Sequence, residues 1–413
     1  MEGVTLTFLS RMKVLFVNPG RELGGAEQSL LLLLDALRER NVEPVVAGFG
    51  DGPFAAALLE RGIPVSYVDI PEAVRGASRY SQPQTRFDTA WLAARSLPAV
   101  LQLVQIARHH NVQVIHSNGI KAHVLGGMAG RLCGRPVVWH VRDFPPEGMT
   151  GLGLKAAARA LPRLIFANSD AVAGAVRARA APKVPVVTLY NPVDLERFNP
   201  KRSGAAVRAE LNVPNGTPLI GMVAHLTPWK GHADFLRMAK AVSLQVPGLR
   251  FLVSGGPIYE TEGHTGYEES LRLLAGELGI ADRVKFLGIR DDIPEIMAAL
   301  DVLVHCPTAP EPFGRAVAEA MGAGRPVIAS KEGGVPELVE DGRTGVLVPS
   351  GDITAFAAAL RRLLDDQSLR QRLGSAGRLR AESMFAVGPH AEKVLENYRP
   401  LTAHRSPLTP LSL

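Results

Sequence analysis

The stretch Asp301-Val302-Leu303-Val304-His305-Cys306-Pro307-Thr308-Ala309-Pro310-Glu311-Pro312-Phe313-Gly314-Arg315-Ala316-Val317-Ala318-Glu319 reads as one strand–loop–helix unit. The apolar run Val302 to Cys306 suits a buried strand, Glu311 falls in the loop after it, and a helix opens near Gly314. Units of this kind build parallel sheets, which take ligands at the carboxyl ends of their strands. Glu319 falls more than one helical turn inside, on a face otherwise made of Ala, Val and Met. A carboxylate there needs a hydrogen-bonding partner, which ligand hydroxyls would supply. Backbone N–H groups near Gly314 point the same way and would meet an anion. The plainer alternative is a capped surface helix carrying two solvated acids.

The same pattern extends in both directions. Upstream, strands are expected at Lys13 to Asn18, Pro44 to Phe49, Val65 to Asp69, Val112 to His116, Pro136 to Val141, Leu164 to Asn168 and Val184 to Tyr190, with helices such as Ala26 to Arg40 and Leu97 to His110 between them. The second half repeats this, with strands at Pro218 to Val223, Arg250 to Ser254, Val284 to Leu287, Val302 to Cys306, Pro326 to Ala329 and Gly345 to Val348. Alternation of this kind predicts α/β architecture with helices on both faces of each sheet. Asn191 to Thr217, polar and rich in Pro and Asn, reads as the linker. The expected domains are 1–195 and 196–384, with 385–413 a helix crossing back to the first domain and a frayed tail; Gly388-Pro389 reads as a break. Two doubly wound domains would face a central cleft, the expected active site.

Other turns carry weaker signals. Gly24-Gly25, at the first βα turn, permit close backbone approach at a helix start, although paired glycines are common in turns that bind nothing. His225-Leu226-Thr227-Pro228-Trp229-Lys230-Gly231-His232 is the equivalent turn of the second half, and Lys230 there would balance a diphosphate. Gly255-Gly256-Pro257 and the run from Phe286 to Arg290 end strands at the same expected edge. In Gly333-Gly334-Val335-Pro336-Glu337 the acid either caps a helix or faces the ligand. No G-x-G-x-x-G fingerprint accompanies the first turn, which argues against an oxidoreductase. No D-x-D occurs, so a metal clamp has no obvious ligands and no cofactor or metal is expected.

Composition bounds the rest. Of 413 residues, 46% are apolar and 21% charged, as in a globular chain of two or three domains. The formal charge of +6 is spread without a basic run or interleaved aromatics, so nucleic acid is not an expected partner. Cys133 and Cys306 lie far apart in apolar settings and suggest neither a disulfide framework nor a zinc site; a reduced, cytoplasmic compartment is expected. Met1 to Ser10 lacks the features of a secretory signal, and no run reaches the ~20 apolar residues of a membrane span. Arg75, Arg79, Arg86 and Arg95 in Ile70 to Pro98, and Lys155, Arg159 and Arg163 further on, would suit an acceptor phosphate or peripheral contact at the inner face of a membrane.

With these residues in view, the chain resembles the retaining glycosyltransferases of the GT-B fold, family 4. Lys230-Gly231, Gly255-Gly256, Glu311-Pro312-Phe313-Gly314, Glu319, Gly333-Gly334 and Glu337 carry the likeness in the second half. Gly24-Gly25-Ala26-Glu27, the run Val114 to Asn118 with Lys121, and Asn191-Pro192-Val193-Asp194 carry it more loosely in the first. The resemblance implies two Rossmann-like domains, the second binding a UDP- or GDP-sugar and the first a saccharide or lipid-linked acceptor. It implies Glu319 on the ribose, Glu311 on the donor sugar, Lys230 on the diphosphate, and Gly25, His225, Gly256, Arg290, Phe313, Gly314 and Arg315 completing the donor set. It also implies metal-independent retention of configuration, in cell-surface polysaccharide or glycolipid synthesis. His225 stands where the family usually has Arg, and Asn118 where it often has His; Asn118 and His140 are the candidate residues beside the reacting carbon, while His116 is expected on the other side of its strand. A nucleotide-sugar epimerase of the same architecture and a non-catalytic nucleotide-sugar-binding protein are the alternatives.

Overall fold

The computed structural model describes residues 11–71, 95–214, 216–246, 248–257 and 266–403. Arg75, Arg79 and Arg86 therefore lie outside the described residues, whereas Arg95 is described and exposed. The chain divides into two compact units: 1–167 with 175–187 and 391–413, and 168–174 with 188–390.

The first unit is built on seven strands: β1 (Met12–Asn18), β2 (Val42–Gly48), β3 (Val65–Tyr67), β4 (Val114–Asn118), β5 (Val137–Val141), β6 (Leu164–Ala167) and β7 (Val186–Thr188). Their order is β3-β2-β1-β4-β5-β6-β7. The second unit repeats the winding with β8 (Leu219–Val223), β9 (Arg250–Ser254), β10 (Val284–Phe286), β11 (Val302–His305), β12 (Val327–Ser330) and β13 (Val346–Val348), ordered β10-β9-β8-β11-β12-β13. The register pairs are parallel throughout, for example Val14↔Val114 and Leu303↔Val327. Both sheets are therefore Rossmann-like. The central strands are apolar along their length because helices bury both faces; Val14 to Val17, Leu303, Val304 and Val327 to Ala329 are all nearly inaccessible. In each sheet the strand order reverses beside the first strand, between β1 and β4 and between β8 and β11. A crevice opens at such a switch point.

Three expectations need correction. Asn191 to Thr217 is no bare linker: it contains the helix Ala205–Glu210, and Val193, Phe198, Val207, Leu211 and Val213 belong to the core of the second unit. The helix Gln367–Met384 was not expected at all. Nor does Gly388-Pro389 break the last helix, which runs Val387–Thr402; the pair sits in its first turn, where a missing proline N–H costs nothing. The interruption falls three residues earlier, at Phe385-Ala386, where Val193 N–H donates to the carbonyl of Phe385.

Candidate active site

In the second unit the switch point is built by two loops held together through glycine. Gly231 has φ of 83°, and a Cβ on it would lie 1.8 Å from the carbonyl oxygen of Cys306, just past the end of β11. Only a residue without a side chain lets the β8 loop lie so close to β11. Thr308 N–H donates to the carbonyl of Trp229 across the same seam (2.8 Å). The approach brings Lys230 Nζ to 2.6 Å from Glu311 Oε2, with both residues about 8% exposed. Lys230 Nζ also stands 4.1 Å over the Trp229 ring. Burial pushes the Glu311 carboxyl up, but the Lys230 ammonium beside it more than offsets this and holds it well below the usual carboxylate range.

The glycine pair further along serves Glu311 itself. Gly334 N–H donates to the Glu311 carbonyl at 2.8 Å, and a Cβ on Gly333 would lie 2.1 Å from that same oxygen. Glu337 is on no ligand face: its two carboxylate oxygens accept from the backbone N–H groups of Asp170 and Ala171, at 2.6 and 2.8 Å, and so cap the helix Asp170–Ala175.

Gly314, with φ of 96°, starts the helix Arg315–Gly322. Glu319 is buried within that helix as expected, but its partner is a neighbour on the chain: Arg315 Nε donates to Glu319 Oε1 at 2.6 Å. Gly256 lends its carbonyl to Leu226 N–H, which ties the β9 turn to the chain beside the half-buried His225. Two members of the expected donor set are engaged elsewhere. Phe313 is 2% exposed and packs edge-on to Phe385 in the core, so its ring is not a binding surface. Arg290 donates to both oxygens of Glu210 and to those of Asp292, and these two acids satisfy its charge.

The first unit has its own polar cluster at the carboxyl edge of β1, β4 and β5. Asn118 donates to Asn18 Oδ1 (2.7 Å) and accepts from Arg142 Nε (2.6 Å). Asn18 Nδ2 faces Glu27 Oε1 at 3.4 Å, in the first turn of the helix that Gly25 opens. Burial raises the Glu27 carboxyl above its ordinary range. His140, expected as a lining residue, is fully buried, with Nδ1 3.3 Å from Arg142 Nη2 and 3.3 Å from His116 Nε2. His116 in turn meets Tyr398 Oη at 2.5 Å. His116 thus shares a face with Asn118, not the opposite one, because strand side chains alternate with period two. Arg142 is a donor only, so it dictates His140 Nδ1 as acceptor. Arg142 and Glu27 belong to this cluster without having been sequence candidates. The i, i+2 spacing from His140 was the available signal for Arg142.

Both halves of the chain have known relatives. Residues 205–380 match the family described as glycosyl transferases group 1, and residues 23–197 match glycosyltransferase family 4. A D-inositol 3-phosphate glycosyltransferase of Streptomyces avermitilis is 31% identical over 319 residues, covering 70% of this chain and 68% of that protein. The chain belongs to the group 1 glycosyltransferases. Its fold is GT-B: Anabaena Alr3699/HepE, solved in complex with UDP and glucose, superposes with a TM-score of 0.81 at 29% identity, covering 94% of this chain and all of the other. A glycosyltransferase from Rickettsia africae gives the same TM-score at 18% identity, which speaks for the fold alone. Within this glycosyltransferase the match over residues 23–197 spans Gly25, Asn118 and His140, and the match over residues 205–380 spans every residue from His225 to Glu319 named above. Among the described residues, no helix is long and apolar enough to cross a membrane.

Proposed function

We propose that this glycosyltransferase moves a hexose or N-acetylhexosamine from a nucleoside-diphosphate sugar, UDP-linked before GDP-linked, to a hydroxyl acceptor with retention of configuration. The observation that carries the reading is the buried Lys230–Glu311 pair at the switch point of the second sheet, one loop from a helix N-terminus. A lysine kept in low dielectric beside a helix N-terminus is built to meet an anion. Lys230 would take the diphosphate, with N–H groups near Gly314 completing the stabilisation of the leaving group. Glu311, relieved of Lys230, would accept from the sugar's hydroxyls. Glu319 would use its second oxygen on the ribose while Arg315 holds the first. The departing phosphate would take the acceptor's proton, and no metal is assigned a part.

The acceptor would lie at the carboxyl edge of the first sheet, against Asn118, with Arg142 and Asn18 setting the direction of its amide. The Anabaena relative's complexes with UDP and with UDP-glucose favour uridine. The name D-inositol 3-phosphate glycosyltransferase, carried by the Streptomyces relatives, favours a hydroxyl of a phosphorylated polyol as acceptor.

Thermal unfolding of the full chain with UDP, GDP, ADP and their sugars, with no metal added, tests this directly. Binding to the native state raises stability by mass action, about 2.7 kcal/mol at a ligand concentration of 100 Kd. A rise with UDP and UDP-glucose but not ADP is expected; no rise with any nucleotide would refute the donor site.

A further inference from the structure

Lys230 has two demands on it. In the ligand-free protein it neutralises Glu311, and in the reaction proposed above it must turn to a diphosphate. The moment it turns, Glu311 becomes a carboxylate 8% exposed with its main cation withdrawn and further negative charge arriving. A buried charge in that position is strongly unfavourable unless another cation takes over.

One side chain is placed to do so. His305, the last residue of β11, has Nε2 3.4 Å from the same Oε2 of Glu311 that Lys230 holds, and it is only 3% exposed. At that separation Nε2 makes no hydrogen bond among the described residues. Among the described residues its ion-pair contact is with Glu311 alone. Across β12 it faces Ala329, and Ser330 next to it donates to the Pro307 carbonyl. Glu311 from the following loop, with Lys230 behind it from the β8 loop, are the ionisable groups it faces. On the adjoining helix Arg315 and Glu319 are paired with each other, and His225 packs edge-on to Trp229. A histidine 3.4 Å from a buried carboxylate, without a firm bond to it, is a counter-ion in reserve.

We infer that His305 takes up a proton as donor binding draws Lys230 from Glu311, and so replaces Lys230 as the partner of that carboxylate. The inference rests on the donor-site reading above. Within it, His305 is a positioning residue: it keeps Glu311 ionised and aimed at the sugar while the lysine serves the phosphates. The proton comes from solvent and no bond other than N–H is made.

The test is calorimetric titration of the full chain with UDP-glucose at pH 8, in buffers of low and high ionisation enthalpy. The dependence of the observed heat on buffer counts the protons taken up. GDP-mannose is run alongside. In the unmodified chain uptake approaching ~1 proton per site is expected, and in His305→Gln it should fall to near zero while UDP-glucose still binds. The second readout needs no variant: between pH 7.5 and 9, where a sugar diphosphate does not titrate, affinity should fall towards ~10-fold per pH unit. Binding without proton uptake, or equal uptake in His305→Gln, overturns the role of His305 and leaves the donor site standing. Absence of binding by either nucleotide sugar overturns the donor site and the inference with it.

Discussion

At the scale of single residues, the Lys230–Glu311 pair bears on stability and, in the proposed reaction, on binding. Neither partner is solvated, and removing Glu311 leaves Lys230 as an uncompensated buried charge. Glu311→Gln is expected to cost about 3–5 kcal/mol of unfolding free energy. Adding Lys230→Met should recover most of that loss, because the stranded charge goes with it. Denaturant titration of the two single variants and the double variant measures the coupling; additive losses would show that the pair is not coupled. Glu319 is a different case, since Arg315 already satisfies one of its oxygens. Glu319→Ala is expected to abolish detectable binding of the donor nucleotide while leaving the fold intact, and unchanged affinity for UDP would remove Glu319 from the site.

At the scale of elements, glycine shows why helix propensity alone misleads. Gly374 lies inside the helix Gln367–Met384, and a Cβ there would stand 2.2 Å from the carbonyl oxygen of Gly324. Gly153 lies inside the helix Gly148–Ala160 with nothing within 4 Å of such a Cβ. In a helix interior alanine is favoured over glycine by about 1 kcal/mol. Gly153→Ala should therefore raise the melting temperature slightly and Gly374→Ala should lower it, and the same sign for both would contradict the packing. The helix Gln367–Met384 was illegible for this same reason. Its buried stripe is Leu369, Leu373, Gly374, Gly377 and Ala381, largely small residues with charged neighbours, which does not stand out as an apolar face. The last helix posed the opposite problem, with Gly388-Pro389 suggesting a stop where the chain uses proline to start.

At the scale of the whole molecule, each unit contains a buried histidine that resists protonation. In the first, burial lowers His123 to about 3; its Nδ1 meets Ser117 Oγ at 2.8 Å and its ring stacks on Trp139. In the second, burial lowers His232 to about 4. With folded values below the unfolded 6.5, the unfolded chain binds more protons in the interval between them. The stability these residues permit is complete above pH 6.5 and is lost as pH falls from there towards 4, by up to about 1.4 kcal/mol per pH unit for each group. Melting followed from pH 8 to 5 should show the decline, and His232→Gln should flatten it for the second unit. A profile unchanged by that substitution would exclude His232 as a source.

The sequence by itself determined the class of fold, because short apolar runs alternating with helical stretches read as strands of a covered parallel sheet, and a run was readable for each of the thirteen strands. It also offered the candidate loops, since Lys230-Gly231 in one and Glu311, Gly314 and Glu319 in another stand in patterns local enough to read without contacts. Only the tertiary structure decided who partners whom. Lys230 and Glu311 are 81 residues apart and meet because Gly231 lets β8's loop lie on Cys306. Arg290 and Phe313 looked like ligand contacts until Glu210 and the Phe385 ring were brought to them. Glu337 caps a helix from the other half of the sequence, and His305 became visible only once β11 and its loop were folded together. Periodicity records which side of an element is buried, whereas the charge and hydrogen-bond balance of a buried side chain depends on atoms that the fold delivers from far along the chain.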